Sequence, residues 1–198
     1  MIRDLNSGQL ITARQLAERL ATASHVLVGE QRNNPDHHAL QLWLLQALSD
    51  RRPQGSLLLE MLTPSQQASV DEARASIAAS NYPADLPQAL QWRPEWDWHI
   101  YGPVLRFALA QPYPLLAAHP EPSDSSRLSE RMADRLLSAP APAVLFAGVE
   151  QVRKDSGVPL HMANLDANHS RVVLVLAEKG EPVGPESADY VWYTAALS

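Results

Sequence analysis

The sequence predicts an α/β fold: a mainly parallel β-sheet of about six strands flanked by helices, with a small aromatic and Pro-rich helical cap. Three observations carry that prediction. Short apolar runs bounded by turn signals recur along the chain. Stretches with helical periodicity separate them, and strand–helix alternation implies parallel strands with helices on both faces. The composition, 198 residues with 45% hydrophobic and 19% charged, is that of a globular chain able to bury a sizeable core. Residues 1–198 read as one α/β domain, with the cap at roughly 80–125.

The expected strands are "HVLVGE" (25–30), "SLLLEML" (56–62), "YPLLAAH" (113–119), "AVLFAGV" (143–149) and "RVVLVLAE" (171–178). The first, third, fourth and fifth are apolar nearly throughout, as strands covered on both faces must be. "DYVWYTAAL" (189–197) is the sixth. Helices are expected at 12–22, with Leu16 and Leu20 inward, and at 35–48, where Leu40, Trp43, Leu44, Ala47 and Leu48 make a core-facing stripe. Two more are expected at 64–79, opened by "TPSQQ", and at 126–138, with Leu128, Met132, Leu136 and Leu137 on one face. Residues 82–122 break the alternation: proline is dense, and three of the five tryptophans fall within 92–98. That stretch reads as a capping lobe or an ordered pocket wall.

The net charge of −6 argues against nucleic acid or an anionic membrane as partner, since both select basic patches. With no cysteine there are no disulfides and no thiolate chemistry. No apolar run is long enough to span a bilayer, and the N-terminus lacks a signal-peptide pattern. As written the chain reads as cytoplasmic; the alternative is a periplasmic or outer-membrane-associated protein whose leader has been removed.

"GEQRNNPDHH", residues 29–38, is the most chemically crowded stretch. Asn34 and Pro35 make a strong helix start, and Asp36 complements the helix dipole. His37 and His38 then lie in the first turn, where the dipole favours neutral imidazole; packing residues are an equal reading. Glu30 ends an apolar strand, the place where open α/β sheets keep their ligand sites. Glu60, His119, Glu150 and Gln151 occupy the same notional edge. Each alone reads better as a polar strand terminator, but together they point to a site above the carboxyl ends of the strands. No dinucleotide, P-loop, nucleophile-elbow or H-E-x-x-H motif is present.

"VLVGEQRNNPDHHALQLWLLQAL" resembles the signature of the ChaN-like haem-binding proteins, relatives of Tiki, TraB and erythromycin-esterase proteins, whose usual pattern is G-E-x-H-D-N-P-x-H-H. "DLNSGQLITARQLAERL", "LLLEML", "WDWHIYGPVLRFALAQPYPLLAA", "SERMADRLL", "AGVEQVRKDSGVPLHM" and "ADYVWYT" follow the family in order. The chain departs from it at Arg32 and Asn33, where His and Asp are usual, and at Gln151, where His is usual. It is also short between His119 and Arg127 and lacks the N-terminal cysteine of exported members, so it resembles a divergent, shortened member.

The resemblance implies a haem-binding accessory protein of bacterial haem uptake or iron handling, non-catalytic because arginine and glutamine replace the histidines. Trp92, Trp96, Trp98 and Tyr101 are the implied slot. Arg32, Arg93 and Arg153 are implied propionate partners. His37, His38, His99, Tyr101 and His119 are the candidate iron ligands, with no choice among them. The implied partners are haem, a second copy of the chain and a haem-uptake component. A degenerate member acting by protein contact, and a metal-assisted or Glu30-dependent hydrolase, are the alternatives.

Overall fold

The computed structural model describes residues 1–121, 127–166, 168 and 170–197. The strands are β1 (Ile2–Asp4), β2 (Leu10–Ile11), β3 (His25–Glu30), β4 (Ser56–Leu59), β5 (Leu115–Ala117), β6 (Ala143–Gly148), β7 (Arg171–Glu178) and β8 (Tyr190–Thr194). The helices are α1 (Ala13–Leu20), α2 (Pro35–Ser49), α3 (Gln67–Ala78), α4 (Leu86–Ala89), α5 (Trp98–Leu109), α6 (Leu128–Ser138), α7 (Val149–Val152) and α8 (Val158–Leu165).

The fold is α/β, and the strands form one sheet in the order β2-β1-β8-β7-β3-β6-β4-β5. From β5 to β8 every neighbour is parallel; β1 and β2 add an antiparallel edge. The sheet therefore has eight strands rather than about six. The additional two lie in the N-terminal lead-in, and at three and two residues they are too short to display a period-two pattern. β4, β5 and β8 are also shorter than their apolar runs. At Glu60 the chain turns out of β4, with the Leu62 amide closing back onto the Leu59 carbonyl. The shortening expected between His119 and Arg127 falls largely on 122–126, outside the described residues.

Strand alternation divides the core in two. Val26, Val28, Leu57, Leu59, Val144 and Phe146 face one layer, shared with α1, α2, α3 and α5. Leu27, Leu58, Leu145, Val173 and Val175 face the other, beside α6 and α8. Removing this much apolar surface from water is the dominant favourable contribution to such a fold. The same alternation aims Glu30, in phase with Val26 and Val28, beneath α2 and α5. Gly29 points the opposite way, where a Cβ would lie 2.5 Å from Val152 Cγ2 and 3.1 Å from the Val149 Cα. Only glycine admits α7 this close to β3.

The aromatic stretch forms α4, α5 and the approach to β5. Its rings belong to the first core layer: Trp96 and Tyr101 are buried, Trp92 and Trp98 half-buried. Trp92 lies 5.0 Å from Trp98 and Trp96 5.5 Å from Tyr101, ring centroid to centroid. Trp92 Nε1 donates to the Trp96 carbonyl at 2.7 Å, which fixes the turn leading into α5. These rings fill each other's space as packed core.

Candidate functional site

The carboxyl ends of β6, β3 and β7 form the middle of the sheet. The chain leaves β3 toward β4 and returns to β6, then crosses β3 to reach β7. This is a switch point of strand order, where adjacent connections diverge and leave a crevice. A hollow of ≈ 560 Å³ sits there, lined by Glu30, Arg32, Glu150, Arg153, Val175 and Glu181 among others.

The α2 start builds one wall. Asn34 Oδ1 accepts from the Asp36 amide at 3.0 Å and the His37 amide at 3.4 Å, while its Nδ2 donates to Glu178 Oε1 at 3.1 Å. The cap thus ties the helix to the end of β7. It also fixes His37, whose Nδ1 accepts from the Gln31 amide at 3.0 Å and whose Nε2 lies 3.2 Å from Thr194 Oγ1. His37 is wholly buried, and burial with the neighbouring His38 pushes its imidazole down to about 4. It serves as a neutral strut between β3, α2 and β8.

Beneath the hollow runs a buried chain of polar groups. Tyr101 Oη donates to Glu30 Oε1 at 3.2 Å, and Gln41 Nε2 donates to Glu30 Oε2 at 2.5 Å. His38 Nδ1 lies 3.1 Å from Gln41 Oε1 and 3.2 Å from Glu30 Oε2, and its Nε2 faces the Arg32 carbonyl at 3.1 Å. The Tyr101 ring packs edge-on against His38 at 4.4 Å. Acceptors on both ring nitrogens favour imidazolium, whereas burial opposes any charge here. Burial, with a contribution from Glu60, pushes Glu30 up to about 8, and burial pushes His38 down. Burial and the Glu30 charge raise the Tyr101 phenol further still.

Glu60 is the second buried carboxylate, and burial raises it too. The Gly148 amide donates to its Oε2 at 2.7 Å. Its Oε1 lies 3.6 Å from Arg32 Nη2, an ion pair too long to be a hydrogen bond. The Arg32 guanidinium sits 4.3 Å above the Trp96 ring and is half-exposed, so it closes over both carboxylates.

The structure thus brings Glu30, Arg32, His38, Glu60 and Tyr101 into one assembly. Glu150 and His119 lie near Glu60. Gln151 is turned away, its Oε1 accepting from Ser129 Oγ of α6 at 2.6 Å. Arg153 lines the hollow with its fork closed on Asp155 at 2.9 and 2.7 Å. Arg93 pairs with Glu95 at 2.5 Å. His99 is exposed in the first turn of α5, and Trp98 is stacked against Arg106 at 5.4 Å. Among the described residues no three His, Asp or Glu side chains are grouped to hold a metal ion.

One group was not foreseen. Tyr82, just beyond α3, is 70% exposed and stands between two further hollows. One, ≈ 380 Å³, is walled by Ile77, Leu86, Pro83, Pro87 and Arg106. The other, ≈ 410 Å³, adds Arg74, Leu109 and Pro112. In the sequence Tyr82 is a single aromatic in "SNYPAD"; the Asn and Pro beside it mark a loop, which was the available signal.

Comparison with known proteins agrees with this architecture. A family model described as haem-binding uptake, Tiki superfamily, ChaN matches residues 16–131. A structure of cofacial haem binding to ChaN of Campylobacter jejuni is similar, with TM-score 0.84 and 21% identity over 96% of this chain and 94% of that one. The type III effector HopBA1 is similar with TM-score 0.54 and 12% identity over 92% of each chain. No curated protein matches.

Proposed function

This chain belongs to the ChaN family of haem-binding uptake proteins in the Tiki superfamily, and from that premise we propose that it binds haem as a non-catalytic accessory of haem uptake or iron handling. A haem site requires an apolar slot, a cation for the propionates and a donor atom free to approach the iron. The buried candidates fit poorly. His37 and His38 have both ring nitrogens engaged, and the Tyr101 phenol is directed at Glu30. The edge hollow offers Arg32 and Arg153, but its walls contribute the carboxylates of Glu30, Glu150 and Glu181.

The residues around Tyr82 fit the group. Ile77, Leu86 and the two prolines supply apolar walls, Arg106 a guanidinium and Tyr82 a phenol facing solvent, while the one carboxylate on the walls, Asp85, is engaged in capping α4 through the Gln88 amide. That exposed phenol beside an apolar hollow is the observation that carries the reading. Bound haem would supply an iron centre open to an oxygen donor from the protein. Tyr82 is the group proposed to provide it and Arg106 to hold a propionate, while Ile77 and Leu86 keep water from the macrocycle. The slot opens outward. The Campylobacter relative binds haem cofacially, so a homodimer that brings two such slots together is part of the proposal.

Two positions support the non-catalytic part of the proposal. Arg32 has no lone pair with which to take up a proton, and the Gln151 amide is held by Ser129. Haem titration followed in the Soret region tests the proposal. The expected result is a saturable shift at micromolar protein that Tyr82→Phe weakens about tenfold or more, with faster sedimentation of the loaded protein. No saturable shift, or a Tyr82→Phe protein with an unchanged spectrum and affinity, overturns it.

A further inference from the structure

The hollow above β6, β3 and β7 is not needed for haem, and its chemistry is of a different kind. Most polar groups on its walls are already engaged. Arg153 is closed on Asp155. Glu181 accepts from Gln31 Nε2 at 2.6 Å and from the Glu178 amide at 2.9 Å, and Ser187 Oγ donates to the Gly184 carbonyl. Glu30 accepts from Tyr101 and Gln41.

Two groups stand apart. Among the described residues, the Arg32 guanidinium makes no hydrogen bond, although Trp96 beneath it and Glu60 beside it hold its plane in position. Glu150 is exposed, and its carboxylate likewise makes no hydrogen bond. Both reach the opening from the ends of neighbouring strands. Glu30 and Gly148 are paired in register on adjacent parallel strands, and Arg32 and Glu150 each follow two residues later. Arg32 stands in the turn beyond β3 and Glu150 in α7, and no ion pair joins them among the described residues, so one cation and one anion flank the same opening. Behind them the walls are apolar: Val149, Val175, Ala177, Pro182 and Val183.

We propose that this hollow is a second ligand site, which takes a free α-amino acid with an apolar side chain. The Arg32 fork receives the carboxylate, Glu150 the ammonium, and the valine-lined floor the side chain. The volume, ≈ 560 Å³, lies within the range of small-molecule sites and leaves room for such a ligand. The site is independent of the Tyr82 slot and of the haem reading.

Isothermal titration of the full chain with leucine, leucinamide and 4-methylpentanoate tests this. The expected result is saturable leucine binding, weakened about tenfold or more when either the carboxylate or the amine is missing. Arg32→Gln removes leucine binding. Glu150→Gln brings leucine to the level of 4-methylpentanoate, and Tyr82→Phe changes nothing. Both replaced side chains are exposed, and circular dichroism confirms that each variant is folded. No leucine binding, equal binding of all three compounds, or unchanged binding by Arg32→Gln overturns the proposal. A loss of haem binding with leucine binding retained would sink only the haem reading.

Discussion

Two regions of this molecule assemble the same residue types for opposite ends. Under the edge hollow, Tyr101 and a set of tryptophans pack around Glu30 and His38, and the polar atoms of Tyr101, Gln41, His38 and Glu30 are engaged inside the protein. On the outer flank Tyr82 stands between a largely apolar hollow that Arg106 borders and a mixed one that Arg74 borders, with the phenol in solvent. A buried phenol locked onto a carboxylate is a structural hydrogen-bond donor; an exposed one remains available to a ligand. Residue type and spacing do not separate the two roles, because burial decides them.

The largest expected effect tests the interior region. Glu30 is held up near 8 in the folded protein, so the native state keeps a proton that the unfolded chain has already released. Its contribution is fully present below the ordinary carboxylate range and is lost as pH rises through about 8. Glu30→Gln keeps an acceptor for Tyr101 and Gln41 without that titration. Denaturant melts are expected to move in the variant's favour by roughly 4 kcal/mol between pH 4.5 and 9. A constant difference across that range would mean that the carboxyl is not desolvated.

His37 gives the reverse slope. Its folded imidazole is lowered to about 4, so stability is present above the ordinary histidine range and is lost as pH falls from 6.5 toward 4. The size is about 3 kcal/mol. Compared with His37→Gln, the wild type should lose that advantage on acidification, read from urea midpoints at several pH values.

A smaller effect sets the two phenols against each other. Tyr101→Phe removes a donor to Glu30 and should cost about 1–2 kcal/mol of stability, leaving the haem spectrum as it is. Tyr82→Phe should do the converse, altering the spectrum with no change in melting temperature. The comparison fails if both variants change haem binding alike. Smallest is Arg106→Gln, expected to weaken haem about threefold with unchanged stability, measured in the same Soret titration.

Much of the architecture was readable in advance. β3, β6 and β7 stand within a residue of their apolar runs, and α2 starts at Asn34 and Pro35 because those residues satisfy its first amides. The edge was readable too, since the residues that end parallel strands meet there by geometry. The helical character of the cap was readable but the bounds of α5 were not, because Pro103 and its aromatic run obscure the period; the aromatic face inserts into the core and the proline is accommodated within the helix. The N-terminal hairpin was too short to show a pattern.

By itself the sequence determined the layer order, the strands covered on both faces, the cap that opens α2 and the family to which the chain belongs. These depend on local patterning and on near neighbours along the chain. Tertiary structure alone decided that Gln151 turns to Ser129, that Tyr101 disappears beneath Glu30, and that Tyr82 stays in water. Each of those outcomes depends on which distant side chain occupies the adjoining space, and that is set by packing across the sheet rather than by spacing along the chain.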